Sequence, residues 1–301
     1  MKLIEGAPIA EIVYEECAAS FAVLQAAGYL PGLAVVLVGD DPASKAYVGA
    51  KDRKCRELGL HSVKIEKPAT TTQAELLAVI DALNLDDAIH GILVQMPLPR
   101  HLDEEEVIRR IDPAKDVDGL HPVNLGKLAM DDPSGFAPCT PSGCQRMLLE
   151  SGIETEGKHV VIVGRSLLVG KSLALLLMGK GKGANATVTV AHSRTKNLPA
   201  LTKTADILVA AIGIPRFIGV DHVKEGVVII DVGINRIEDP TAKNGTRLVG
   251  DVDFEAVSDL CKAITPVPGG VGRMTIAMLM ANTIRACRLR SEKESSEADI
   301  S

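Results

Sequence analysis

Tyr47 and Lys51 stand four apart in "SKAYVGAK", the spacing that puts two side chains on one face of a helix. From this octapeptide alone, a solvated lysine and a boundary tyrosine are the simpler account. "GILVQMPLPR" adds a second group, because its apolar run ends at Val94 and leaves Gln95 just before Pro97 and Pro99. In open α/β sheets, ligands bind outside the carboxyl ends of the strands. Gln95 holds such a position, and the segment carrying Tyr47 and Lys51 begins just past another strand end. "KDVDGLHPVN" supplies Asp116 and Asp118 ahead of Gly119, although Asp before Gly is often turn chemistry alone. Polar groups converging from three segments on one sheet edge define a pocket.

A second constellation follows later in the chain. "VVIVGRSLLVGKS" contains four apolar strand residues, Gly164, five residues, Gly170 and a helical run. Glycines at a strand-to-helix turn let the backbone approach a pyrophosphate, whose charge suits the helix N-terminus. The spacing is neither Gly-x-Gly-x-x-Gly nor a phosphate loop of the Gly-x4-Gly-Lys-Ser kind, since Gly164 lies one residue too far from Lys171. A tight turn explains it equally well. The following strand narrows the choice. NAD sites place an acid at its end to bind the ribose 2′-hydroxyl, whereas "VTVAHSRTKN" offers His192, Ser193, Arg194 and Lys196 with no acid. With Arg165 and Ser166 in the loop itself, these groups suit a 2′-phosphate and favour NADP over NAD. The Tyr-x-x-x-Lys pair of short-chain dehydrogenases lies after the nucleotide loop. Here it lies far before that loop, so that assignment is excluded.

Alternating strands and helices must position both constellations. Expected elements are a helix over residues 8–27, a strand in "GLAVVLVG", a helix over 44–58 closed by Gly59, and strands in "HSVKIE" and "IHGILV". Helices in "TQAELLAVIDALN" and "LDEEEVIRRI" separate and follow them. Such alternation means a parallel sheet covered by helices. At "APCTPSGCQRMLLESG", Thr140 is expected to cap a helix whose first position is Pro141 and which ends near Gly152. A second alternating series then runs through "HVVIV", "ATVTVAHS", "ADILVAAIG" and "GVVIIDVGI". A last apolar helix is expected from Thr275 to about Leu289, before a polar tail that frays.

The whole chain agrees with this reading. Its 301 residues suit two domains. It is 46% hydrophobic but only 2% aromatic, so aliphatic side chains fill the cores. The net charge of −6 argues against general nucleic-acid binding. Six cysteines show no C-x-x-C pair and no histidine cluster, so reduced thiols in a cytoplasmic protein and no metal are expected. There is no signal-peptide core, and no apolar run reaches the ~18 residues of a membrane span.

Taken in order, "YVGAK", "GILVQMPLP", "KDVDGLHPVN", "PCTPSG", "VVIVGRSLLVGKS", "VIIDVGIN", "VGDVDF" and "ITPVPGGVGRMT" resemble the motifs of the bifunctional methylenetetrahydrofolate dehydrogenase/methenyltetrahydrofolate cyclohydrolase family. The resemblance spans residues 2 to 290, nearly the whole chain. It implies two α/β domains with a cleft between them. Residues 1–139 with 275–290 would form a three-layer folate-binding catalytic domain, 140–274 a Rossmann-type NADP-binding domain, and 291–301 a flexible tail. It further implies a cytoplasmic homodimer acting on a folate, with no nucleic-acid or membrane partner. By the same resemblance Lys51 is the catalytic lysine and Gln95 its partner, Tyr47 stacks on the folate ring, and Asp118 anchors the pterin. Gly164, Arg165, Ser166, Gly170, Ser193, Arg194 and Ile234 are the NADP contacts. Pro268, Gly269 and Gly270 line the place where nicotinamide meets folate.

"TPVPGGVGRMT" crowds two prolines and three glycines into seven positions. Rigid turns and close backbone approach to flat ligands account for that density. Arg273 departs from the pattern, because the family usually has proline there. A cation in the first turn of a helix opposes the dipole, so Arg273 is expected to point outward or to meet an anion. Other readings are a dehydrogenase of amino or hydroxy acids, a non-catalytic NADP sensor, and a monofunctional dehydrogenase without cyclohydrolase activity. The joint presence of Tyr47, Lys51, Gln95 and Asp118 speaks against the last two.

Overall fold

A computed structural model describes residues 1–242 and 245–298. The chain opens with β1 (Lys2–Leu3) and α1 (Gly6–Ala26). Then follow β2 (Gly32–Val38), α2 (Pro42–Glu57), β3 (His61–Lys67), α3 (Gln73–Leu85), β4 (Gly91–Val94), α4 (Glu104–Arg110) and α5 (Pro122–Ala129). Next come α6 (Cys139–Glu150), β5 (His159–Val163), a π-helical turn over Leu167–Lys171, α7 (Ser172–Met178), β6 (Thr187–Ala191) and α8 (Leu198–Thr202). β7 (Ile207–Ala210) and β8 (Val227–Asp231) precede β9 (Asn235–Glu238) and β10 (Thr246–Val249), which pair antiparallel. The chain ends in α9 (Phe254–Val257), β11 (Cys261–Ile264) and α10 (Val271–Ala298).

Two compact units result. The lysine unit comprises residues 12–127, 132–139 and the described residues from Ile276 onward. Its sheet is parallel in the order β3-β2-β4. Every residue of β2 is buried, as a central strand covered on both faces requires. Ala34, Val36 and Val38 pack with Leu76, Ile80 and Ile92 in its core. Local signals set the helix starts. Asp41 caps α2 by accepting the Ser44 N–H at 2.7 Å, with Pro42 behind it. Thr72 and Glu75 form a reciprocal capping box on α3.

The loop unit comprises residues 1–11, 128–131 and the described part of 140–275. Among the described residues its sheet has six strands in the order β1-β11-β8-β7-β5-β6, all parallel. β7 and β8 are buried throughout, and Val161, Leu208, Ile229 and Ile264 share the core.

Three sequence expectations need correction. The first eleven residues group with the loop unit rather than with residues 12–127, because Lys2 and Leu3 pair with Ala263 and Ile264 of β11. A two-residue strand has no periodicity to announce it. Helix α6 starts at Cys139, ahead of Thr140, whose hydroxyl instead meets that of Thr275 at 3.1 Å. Helix α10 begins at Val271 and runs past Leu289 to Ala298. Arg288–Glu292 and Arg290–Glu294 ion pairs at i,i+4 support that extension, and residues 299–301 of the expected tail lie outside the described residues.

The N-terminal segment also packs closely on the turn near residue 270, which demands a glycine at position 6. Gly6 donates its N–H to the Gly269 carbonyl at 2.8 Å. A Cβ on Gly6 would lie 2.1 Å from the Gly270 carbonyl oxygen. Gly6→Ala is therefore expected to destabilise the fold by about 1–3 kcal/mol. Thermal unfolding checks this, and an unchanged Tm would contradict the close approach.

Candidate active site and nucleotide site

Lys51 lies on the buried stripe of α2 with Ser44, Val48 and Cys55, and its side chain is only 5% exposed. Burial holds its amine below the ordinary lysine range, while the charge of Asp118 works against that shift. Lys51 Nζ donates to Gln95 Oε1 at 2.9 Å. Gln95 is fixed in turn, since its Nε2 donates to the Met96 carbonyl at 2.6 Å and its backbone N–H to Val36 at 2.8 Å. Both ends of the amide are committed, so Gln95 holds the amine without adding charge. The Tyr47 ring centroid is 5.5 Å from Lys51 Nζ, and burial raises the pKa of its hydroxyl.

The two acids of "KDVDG" divide their work. Asp116 extends the sheet edge through a parallel bridge to Ile92. Its carboxylate accepts from the His121 N–H at 2.7 Å, the Leu120 N–H at 3.3 Å and Asn124 Nδ2 at 2.8 Å. That is a turn-holding role. Asp118, half-buried two residues on, faces Lys51 electrostatically. Burial raises its pKa, the lysine charge lowers it, and Asp116 raises it again. Gly119 then takes a φ of +72°, which favours glycine.

Sequence reasoning left two neighbours of Asp118 unassigned. Cys139 is 1% exposed and donates from Sγ to the Val117 carbonyl at 3.3 Å, while burial and the Asp118 charge push its pKa well up. Asn282 on α10 donates to the Val117 carbonyl at 2.9 Å and to Ala137 at 3.2 Å. Cys139 was visible only within the "PCTPSG" motif, and Asn282 carried no signal because its partner lies 165 residues away.

In the loop unit, the expected cofactor residues fall on the carboxyl edge of one sheet. Gly164 follows β5, with a φ of +134°, and donates its N–H to Ala191, the last residue of β6, at 2.9 Å. Side chains are excluded from this turn. A Cβ on Gly164 would sit 2.1 Å from the Ala211 carbonyl oxygen, and one on Gly170 2.1 Å from that of Gly164. Ser166 caps the π-helical turn by accepting the Val169 N–H at 3.2 Å. Arg165, Ser166, Ser193 and Arg194 are exposed, the last two in the loop after β6. Ile234, 48% exposed, follows β8 two strands away. Pro268, Gly269 and Gly270 follow β11 on the next strand, and Gly269 has a φ of +112°. The exposed Arg273 has no side-chain partner among the described residues.

A buried lysine at the edge of one parallel sheet, and a side-chain-free glycine turn at the edge of another, define a two-unit α/β enzyme of the nucleotide-dependent class. The chain belongs to the tetrahydrofolate dehydrogenase/cyclohydrolase family. Residues 4–118 match its catalytic domain and residues 138–291 its NAD(P)-binding domain. The chain is 54% identical over 290 residues to the bifunctional protein FolD of Chlorobium phaeobacteroides, covering 96% of this chain and 98% of that protein. It is 53% identical over 287 residues to FolD 1 of Myxococcus xanthus, covering 95% and 98%. Among solved structures, the FolD methylenetetrahydrofolate dehydrogenase/cyclohydrolase of Campylobacter jejuni matches with a TM-score of 0.90 and 45% identity, covering 96% of this chain and 99% of that one. The Trypanosoma brucei FolD, complexed with NADP cofactor and inhibitor, matches with a TM-score of 0.90 and 36% identity, covering 96% and 98%.

The contact at Lys51 yields a direct test. Gln95→Glu places a carboxylate where a neutral oxygen now accepts, which favours the ammonium form and raises the lysine pKa. Labelling of Lys51 by an amine-reactive reagent, followed across pH by peptide mapping, is expected to shift to higher pH. An unmoved profile would show that Gln95 does not set the charge of Lys51.

Proposed function

We propose that Lys51 is the proton-transfer group of a bifunctional enzyme, with Gln95 orienting it, Tyr47 stacking on the substrate and Asp118 anchoring the pterin. The enzyme oxidises 5,10-methylenetetrahydrofolate to 5,10-methenyltetrahydrofolate with NADP, then hydrolyses the product to 10-formyltetrahydrofolate. The observation that carries the role of Lys51 is its buried amine, held by a neutral acceptor at 2.9 Å.

NADP, when bound, supplies the hydride acceptor of the first reaction. The glycine turn fits it, because Gly164 and Gly170 leave backbone where a Cβ would clash. The exposed Arg165, Ser166, Ser193 and Arg194 suit a 2′-phosphate, with Ile234 and the Pro268–Gly270 turn completing the cofactor and substrate contacts. The carbon that loses hydride is flanked by two nitrogens whose lone pairs support the cation. Positioning therefore dominates this step, and no strong acid or base is needed.

Hydrolysis makes a different demand. Water adds to the methenyl carbon, losing one proton as its oxygen bonds to carbon; a carbon–nitrogen bond then breaks as that nitrogen is protonated, and the remaining hydroxyl proton leaves to solvent as the formyl carbonyl forms. A lysine whose pKa burial lowers is suited to accept the first proton and return one to the departing nitrogen. Asp118 takes the hydrogen-bond donors of the pterin edge, a role for which a carboxylate suits.

The same reading carries a cytoplasmic homodimer in one-carbon metabolism that serves purine biosynthesis, with no nucleic-acid or membrane partner. Its supports are the family relation and the net charge of −6. Size-exclusion chromatography with light scattering tests the dimer.

Lys51→Met is expected to lower hydrolysis of methenyltetrahydrofolate by at least ~100-fold and to impair the dehydrogenase less. Turnover of methylenetetrahydrofolate with NADP, followed through NADPH and the methenyl product, separates the two. Equal loss of both activities with folate affinity intact would refute the division of roles.

A further inference from the structure

Two buried acids of the loop unit take no part in either constellation described above. Asp231 ends β8 and Asp251 follows β10, and they are 3% and 0% exposed. The Asp231 carboxylate accepts from the backbone N–H groups of Gly233, Asp251 and Val252, each at 3.0 Å. Asp251 Oδ2 accepts from the Ile212 and Gly213 N–H groups at 2.6 and 2.9 Å, and its Oδ1 from Asn235 Nδ2 at 2.8 Å. The Asp231 N–H donates to Thr265 Oγ1 at 2.7 Å. Glycines make room for both carboxylates. A Cβ on Gly233 would lie 2.3 Å from the Asp251 carboxyl carbon, and one on Gly250 1.8 Å from Asp231 Oδ2.

No ion pair reaches either acid among the described residues. Burial pushes Asp231 up to about 7, against the pull of the amides it gathers. Two adjacent buried acids without a counter-ion are costly even when hydrogen-bonded, so packing alone is a poor reason for them. Their carboxylates reach the loops that leave β7 and β8, and the Asp231 main chain reaches Thr265 after β11. These lie on the side of β5 away from β6. The reading above assigns the 2′-phosphate to the loop after β6 and the pyrophosphate to the turn after β5. The nicotinamide half of the dinucleotide then falls to the loops after β7, β8 and β11.

We propose that Asp231 and Asp251 are positioning residues for the nicotinamide half of NADP, setting the backbone of Ile212–Gly213 and Gly233–Ile234 without touching the ligand. The inference rests on the NADP reading, and the test keeps the two apart. Calorimetry would compare NADP with adenosine 2′,5′-bisphosphate, which lacks the nicotinamide. Wild-type protein that binds neither ligand overturns the cofactor reading itself. Asp251→Ala is expected to raise the Kd for NADP at least ~10-fold, leaving that for the bisphosphate unchanged. Asp251→Asn should remain near wild type, because Asn235 can turn its amide to accept. Asn235→Ala, which removes one bond to Asp251 at a half-buried position, covers the case in which Asp251→Ala fails to fold. It should weaken NADP roughly threefold with the bisphosphate again unmoved. Parallel loss of both ligands, or an unchanged Kd for NADP in these folded alanine variants, overturns the proposal.

Discussion

An amine on the buried stripe of a helix is costly unless it is neutralised or met by a partner. Lys51 occupies that stripe between Val48 and Cys55, and the surrounding architecture answers the cost. Its hydrogen-bond partner is an amide rather than a carboxylate, so that contact adds no charge of its own, while burial lowers the lysine pKa against the pull of Asp118. The amide is held in turn by the next carbonyl of its own chain, and the Gln95 backbone N–H by Val36 of β2. Asp116 spends its charge on the turn that presents Asp118, leaving Asp118 as the acid that faces the amine. A buried amine and the acid that faces it thus come from one short sheet and the segments at its edge.

The loop unit works by a complementary constraint, since its edge is built from backbone. Gly164 and Gly170 approach neighbouring carbonyl groups too closely for any side chain, and the loops after β6, β5, β7, β8 and β11 leave adjacent strands. Asp231 and Asp251 gather N–H groups from several of these loops. Rigid backbone supported by buried acceptors is a sound base for a flat, charged ligand, because little ordering is left to occur on binding.

Much of this was legible in the residue order. The parallel sheets followed from continuous apolar runs in β2, β7 and β8, and the start of α2 from Asp41-Pro42. The end of an apolar run at Val94 placed Gln95 at a strand's carboxyl end, and the family resemblance paired it with Lys51. Other features were hidden by length or by distance along the chain. β1 is too short for periodicity, and α10 extends past its apolar face on the strength of ion pairs. Gly6, Asn282, Asp231 and Asp251 find partners far away in sequence. Arg273 stayed what the residue order made it: an exposed cation among small residues, with no side-chain partner among the described residues to explain it.

The sequence by itself determined the two alternating α/β series, the family, and the residue types of both constellations, because periodicity, capping and turn chemistry are local. Only the tertiary structure decided that Lys51 is buried against Gln95 and that Asp116 rather than Asp118 is spent on a turn. It alone brought the first residues onto β11 and the two buried aspartates together. Those outcomes depend on which backbone groups remain unsatisfied once the strands are side by side, a quantity that no single stretch of sequence contains.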